Sequence, residues 1–217
     1  MTLPRLALFI PTLHGGGAER VVLNLATNWS VAGHPVDLLV CRAEGPLAAA
    51  VPVGIRVREL GRRGVLAAVR PLAAYLREAR PAALLAAMDH ANVAAFVAGR
   101  LARTHTPIVG SVHVALSPLV SAEGGVRLRL ITRLLPLVYR RLRAVVAVSQ
   151  GVADDTAKLA GLEPGRIHVI HNPIVTPELL HAAEAPVDHP WFRPGELPVV
   201  LGVGRLEVQK DFRTLLR

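Results

Sequence analysis

Three consecutive glycines, Gly15, Gly16 and Gly17, lie between an apolar run and a helical pattern. The surrounding stretch, Leu6 to Ala32, reads LALFIPTLHGGGAERVVLNLATNWSVA. Leu6–Ile10 is short enough for a buried strand, and Val21, Val22, Leu25, Ala26 and Trp29 recur at helical spacing, so a helix opens near Ala18. A strand, a glycine turn and a helix N-terminus make a place for an anion: glycine lets backbone approach a ligand, and the first N–H groups of the helix have no intrahelical partner. The motif is G-G-G-A-E-R, without the G-x-G-x-x-G spacing or a Walker lysine, so it would equally serve a chain that only has to reverse tightly. Near the carboxy end, Arg205 and Lys210 flank a second turn. A guanidinium offers a planar fork to phosphate oxygens and an ammonium a point charge, although two solvated cations at a helix start would look the same.

A third group of polar residues follows apolar runs: Asp89 and His90, His113, Ser149 and Gln150, His171 and Asn172. His113 can hydrogen-bond a hydroxyl or a developing charge, and His90 and His171 are alternatives. Asp89 can orient a hydroxyl or act as base, or cap a helix beginning at Ala91. Glu19 falls in a first helical turn, where the helix dipole favours a carboxylate. Ser149 is expected to cap a short helix, since no G-x-S-x-G surrounds it. No His/Cys/Asp grouping has metal-ligand spacing. The single cysteine, Cys41, excludes an internal disulfide, is compatible with a reducing compartment, and reads as a packed small residue.

The elements that must carry these residues alternate. Strands are expected at Val36–Cys41, Ile55–Leu60, Leu84–Ala87, Pro107–His113, Ala144–Val148 and Ile167–Ile170. Helices are expected at Val65–Arg80, Ala91–Arg103, Val126–Leu142 and Ala153–Ala160, with kinks or breaks at Pro71 and Pro136. Alternation of this kind implies an α/β fold, a Rossmann-like parallel sheet with helices on both faces, whose ligands lie at the carboxyl ends of the strands. Residues 1–173 form that domain. Residues 174–197 read as a Pro-rich linker, and 198–217 as the start of a second domain, with a strand at Pro198–Val203 and a helix from Phe212.

Bulk properties narrow the classes. Apolar residues make up 52% of the 217, but aromatics only 4%, so the core is built from Ala, Leu and Val. The formal net charge is +9, and among the basic residues only Lys158 and Lys210 are lysines. That balance implies attraction to phosphates, whether on nucleotides, nucleic acid or anionic lipid. Few aromatics and no known motif argue against nucleic acid. The apolar run after Pro4 and Arg5 is too short for a signal peptide, and Pro81–Gly99 carries Asp89, His90 and Asn92 at its middle, against a membrane span.

Five motifs in order resemble the GT4-type glycosyltransferases of GT-B fold: GGGAERVVLNLA, a strand ending in His113, VVAVSQGV at 145–152, VIHNPI at 169–174 and VGRLEVQKDF at 203–212. The resemblance implies a retaining transfer of sugar from a nucleotide-diphosphate sugar, the co-substrate, to a small-molecule or lipid-linked acceptor, with no other cofactor and no metal. Carried over, Arg205 and Lys210 would grip the donor diphosphate, Gly15, Gly16 and Gly17 would approach it from the opposite wall, and His113 would sit beside the reacting sugar. Asn172 would lie near the hinge, with Asp89 and His90 on the acceptor rim. The family's E-x7-E motif is missing, so the chain looks like an acceptor domain with the start of its partner and is expected to be inactive alone. A non-catalytic Rossmann-like binding or regulatory module is the alternative. A nicotinamide-dependent oxidoreductase is disfavoured by the missing G-x-G-x-x-G and the lack of an acidic residue ending strand two.

Arg129, Arg133 and Arg140 share one face of the Val126–Leu142 helix, and Leu128, Ile131, Leu135, Val138 and Leu142 another. Such a helix can rest on an anionic membrane or be an ordinary domain helix with solvated arginines. The expected location is cytoplasmic, peripheral at the inner membrane face.

Overall fold

The structure is a computed structural model. It describes residues 3–61, 64–117, 126–163, 165–204, 206 and 210–216, the side chains of 126–129 excepted. The chain divides into two units, 1–174 and 175–217.

The first unit is a seven-stranded parallel sheet of order β3-β2-β1-β4-β5-β6-β7. The strands are β1 (Leu6–Ile10), β2 (Val36–Val40), β3 (Ile55–Glu59), β4 (Ala83–Ala87), β5 (Ile108–Val112), β6 (Ala144–Ala147) and β7 (Ile167–Val169). Their helices are α1 (Gly17–Val31), α2 (Val69–Ala79), α3 (Asp89–Ala102), α4 (Val126–Tyr139) and α5 (Gln150–Ala160). β1 is the pivot, pairing Leu8 with Leu38 of β2 on one side and with Leu85 of β4 on the other. β2 is buried along its whole length, as a strand covered on both faces should be, whereas β3 at the edge exposes Arg56, Val57 and Glu59.

Side-chain alternation sorts the core into two layers. Ala7, Phe9, Leu39, Leu84, Ala86 and Val145 meet the helices α2 to α5, and Leu8, Ile10, Val36, Leu38 and Val40 meet α1. Each fully buried leucine or phenylalanine contributes about 1.5–3 kcal/mol. Right-handed crossovers explain the partition: the chain moves one way across the sheet through α1 and the other way through α2 to α5. Beside α1, the sheet face carries an apolar groove of about 270 Å³ lined by Leu25, Trp29, Leu85, Val109, Val146 and Val148.

Several boundaries differ from expectation. Pro71 lies in the first turn of α2, where a missing N–H costs nothing, so it marks a start and causes no kink. α4 runs through Pro136 without interruption. α3 begins at Asp89, so Asp89 is not its cap. Ser149 does cap α5, accepting from the Val152 N–H at 3.3 Å, and Gly161 ends that helix in the left-handed region at φ 57°. Cys41 is buried, and burial raises its thiol pKa, as expected of packing.

In the second unit, Thr176 caps α6 (Pro177–Ala183) through the Leu179 N–H, and α7 spans Phe212–Leu215. The Pro-rich stretch therefore contains a helix. Residues 198–203 are not a strand: with no neighbouring strand to pair with among the described residues, Val200, Leu201 and Val203 stay exposed.

At the amino end of β2, the fully buried Asp37 accepts from Arg5 Nη1 and from the Tyr75 hydroxyl, both at 2.8 Å. Burial and the neighbouring carboxylate push the Tyr75 pKa well up, so the phenol remains a donor. Tyr75→Phe leaves a buried carboxylate short of one bond and is expected to lower unfolding stability by about 1–3 kcal/mol, read from urea denaturation midpoints.

Candidate functional site

Strand direction decides where the polar residues go. Gly15–Gly17 follow β1, Asp89 and His90 follow β4, His113 follows β5, Ser149 follows β6, and His171 and Asn172 follow β7. All five turns lie on one rim. Between β1 and β4 the strand order reverses, with α1 leaving one face and α3 the other, and a crevice opens where they part. The glycine turn forms one lip, and Asp89 and His90 the other.

The glycine turn is held from beneath. Glu19, buried in the first turn of α1, accepts from the Thr12 hydroxyl, and its Oε2 accepts from the Gly16 N–H at 2.6 Å. The Gly16 amide is therefore committed within the protein. Gly15 has φ +97°, a conformation that disfavours a side chain, but a Cβ at Gly15 or Gly17 would meet nothing within 4 Å. The open space beside these two glycines leaves room for a ligand. Gly45, at φ +123°, packs so tightly that a Cβ would lie 2.4 Å from the Leu13 carbonyl oxygen. The loop after β2 thus braces the turn, with the Leu47 N–H donating to that same oxygen at 3.0 Å.

The opposite lip rests on a buried polar cluster that sequence reading missed. The Tyr139 hydroxyl on α4 donates to Asp89 Oδ1 at 2.5 Å, and Asn92 Nδ2 donates to Tyr139 Oη and to the Ser111 carbonyl, each at 3.1 Å. Burial raises the Asp89 pKa, and the Tyr139 bond acts against that rise. Burial and Asp89 drive the Tyr139 pKa up. Met88, before α3, has φ 81°, a strained conformation for a side-chain-bearing residue, and its N–H donates to the same Ser111 carbonyl at 3.1 Å. One signal was available: beyond its first two residues, Asn92 and Arg100 are the only polar side chains of this alanine-rich helix, and Asn92 falls among its apolar positions.

His113 is half-buried, and its Nε2 lies 3.0 Å from Ser111 Oγ. Burial lowers its pKa below the ordinary 6.5, so the ring is neutral at neutral pH. Asp155 on α5 accepts from the N–H groups of Leu116 and Ser117, at 2.7 and 3.2 Å, and fixes the chain just beyond His113. The His171 ring meets the Val148 carbonyl at 3.2 Å, and Asn172 borders the apolar groove.

Arg205 lies outside the described residues. Lys210 belongs to the second unit, is exposed, and lays its side-chain carbons near Gly204. On α4, Arg133 is exposed, Arg140 Nη2 donates to the Gly161 carbonyl at 2.7 Å, and the Arg129 side chain is not described. Leu135, Val138 and Leu142 are buried, as the helical pattern requires.

The sequence profile of Glycosyltransferase Family 4 matches residues 15–177, from the glycine turn through every turn of this rim. This chain belongs to Glycosyltransferase Family 4. Its fold is that of the amino-terminal domain of GT-B glycosyltransferases. It is similar to Anabaena HepE in complex with UDP-glucose at 18% identity and TM-score 0.60, over 83% of this chain and 49% of that one. The lipopolysaccharide outer core galactosyltransferase WaaB, in its apo form, matches at 17% and 0.61, over 78% and 46%. Sucrose-phosphate synthase from Thermosynechococcus elongatus matches at 13% and 0.60, over 78% and 48%. The family member described here spans about half the length of these neighbours. Among curated proteins, none matches it in sequence.

The raised Asp89 pKa has a sign. The folded protein holds the proton to higher pH than the unfolded chain does, so stability is lost as pH rises from the ordinary 3.8 through the folded value, and the cost persists at pH 7. Asp89→Asn keeps an acceptor for Tyr139 without the charge. At pH 7 it is expected to melt at a higher temperature than the wild type, with the gain shrinking as pH falls toward 3.8. Calorimetry across that range checks it.

Proposed function

We propose that this chain is the acceptor-side half of a retaining glycosyltransferase that moves a sugar from a nucleotide-diphosphate sugar to an acceptor. The observation that carries the reading is the open space at Gly15 and Gly17, set on the crevice where α1 and α3 part, in a chain of this family. Neighbours of the same fold hold UDP-glucose or UDP. The departing diphosphate gains charge as the sugar leaves, and backbone N–H groups at a helix start stabilise such charge without reorganising. Arg205 and Lys210 supply the cationic grip from the second domain, and His113 faces the reacting sugar. Asp89 and His90 contact the acceptor, and Asn172 stands near the hinge. No metal ion takes part. The paired glutamates of the donor domain complete the site, and this half alone turns over poorly.

The donor assignment is tested by thermal protection with UDP- and GDP-sugars in the protein carrying both domains. Arg205→Ala and Lys210→Ala are each expected to remove the protection. Gly17→Ala, which meets nothing in the fold, should leave the melting temperature unchanged and weaken the donor effect. Unchanged protection in all three defeats the assignment.

A lipid-linked acceptor at an anionic membrane face, on the cytoplasmic side, is the finer reading. α4 carries a second apolar stripe away from the core, with Leu130 56% and Leu137 46% exposed and Leu134 between them. Arg133 flanks the stripe, and between Asp89 and Asp154 the chain has eight arginines and one acid, Glu123. Exposed leucines beside arginines suit an interfacial helix, and no described helix is long and apolar enough to cross a membrane. The protein is expected to sediment with anionic vesicles at low salt, and Leu130→Ser with Leu137→Ser, or Arg133→Glu, to reduce that binding. Equal sedimentation of wild type and variants refutes the membrane face.

A further inference from the structure

His113 has a hydrogen bond whose direction can be derived. Its Nε2 lies 3.0 Å from Ser111 Oγ, two residues earlier on the same face of β5. Ser111 is 7% exposed, and its side chain borders a groove walled by Leu85, Val109, Val146 and Val148. A buried hydroxyl proton needs an acceptor, or desolvation costs its full penalty. Among the described residues, His113 Nε2 is the one partner of Ser111 Oγ. If Nε2 carried the ring proton, the serine would accept it, and its own proton would be turned to a mainly apolar groove in which no described residue accepts it. The hydroxyl must therefore donate to Nε2. A neutral imidazole has a single N–H, so the proton resides on Nδ1. Nδ1 makes no hydrogen bond to any described residue, and it is not among the enclosed, unpartnered atoms, so it opens to solvent at the rim.

We infer that Ser111 is a positioning residue that locks His113 in the Nδ1–H tautomer, so that His113 meets its ligand as a hydrogen-bond donor and not as a general base. The functional half of this statement rests on the glycosyltransferase reading above; the tautomer does not. A donor N–H suits an electron-rich oxygen, either a sugar hydroxyl or the oxygen on which charge develops as the diphosphate leaves. No proton is transferred by His113 in this role, so the acceptor hydroxyl must lose its proton elsewhere.

Long-range proton–nitrogen NMR of the ¹⁵N-labelled chain at pH 7 decides it, with the His113 signals identified by their loss in His113→Gln. The expected wild-type pattern is a protonated Nδ1 and an unprotonated, hydrogen-bonded Nε2. Ser111→Ala should shift the ring to the Nε2–H form or a mixture of the two, and Ser111→Thr should retain the wild-type pattern. An Nε2–H ring in the wild type overturns the inference whether or not any variant folds, and so does an unchanged ring in Ser111→Ala. UDP-glucose is then added to the protein carrying both domains. A shift of the Nδ1 signal supports the donor role. Unmoved signals with the tautomer as stated leave Ser111's role standing and overturn only the placement of donor sugar beside His113.

Discussion

Parallel pairing of β1 with β2 on one side and β4 on the other governs this molecule. Because β1 is central, the chain leaves it one way through α1 to β2, and after β3 it crosses through α2 to β4 on the other side, from which α3 leads on. Right-handed crossover then puts α1 and α3 on opposite faces. The gap between their starts is a consequence of connectivity, and it exists before any side chain is specified. Into this gap the chain places residues of contrasting kinds: glycines without side chains on one lip, and a carboxylate and imidazoles on the other.

The same pairing polarises the domain. Parallel strands send the N-termini of the helices to one rim and their C-termini to the other. Charged residues follow the helix dipoles: Glu19 and Asp89 lie in first turns, and Arg77, Arg100 and Lys158 in last turns. The arginines around Thr104 and His105, including Arg80 and Arg103 at left-handed helix ends, thereby have an ordinary electrostatic explanation on the pole away from the crevice. Much of the net positive charge is accounted for in this way. The α4 stripe is different, since its exposed leucines have no dipole to complement.

Burial and charge conflict at Asp89. Its charge is costly where it lies, and the Tyr139 hydroxyl only partly offsets that cost. Tyr139 in turn is held by Asn92, which also grips the carbonyl of Ser111 on the strand that carries His113. Three elements, α3, α4 and β5, are joined beneath the rim through three polar side chains, Asp89, Asn92 and Tyr139, and the Ser111 carbonyl. A cluster of that kind restricts how the rim residues can move relative to one another, at the expense of leaving Asn92 Oδ1 buried without a partner.

Local patterning determined most of the first unit. Apolar runs bounded by glycine and proline marked the strands, helical spacing marked the helices, and the rule that ligands lie at strand carboxyl ends selected the rim from sequence order alone. Pro71 and Pro136 misled because proline disrupts a helix only where its missing N–H was needed or its ring collides, and that depends on the turn it occupies. The apparent strand at 198–203 misled for a related reason: an apolar run becomes a strand only beside another strand. Tertiary structure alone revealed that Glu19 takes the Gly16 amide, that Tyr139 reaches Asp89 from fifty residues away, and that the Ser111 hydroxyl lies 3.0 Å from His113 Nε2. These are contacts between residues distant in sequence or atoms set by rotamer, and periodicity carries no information about either.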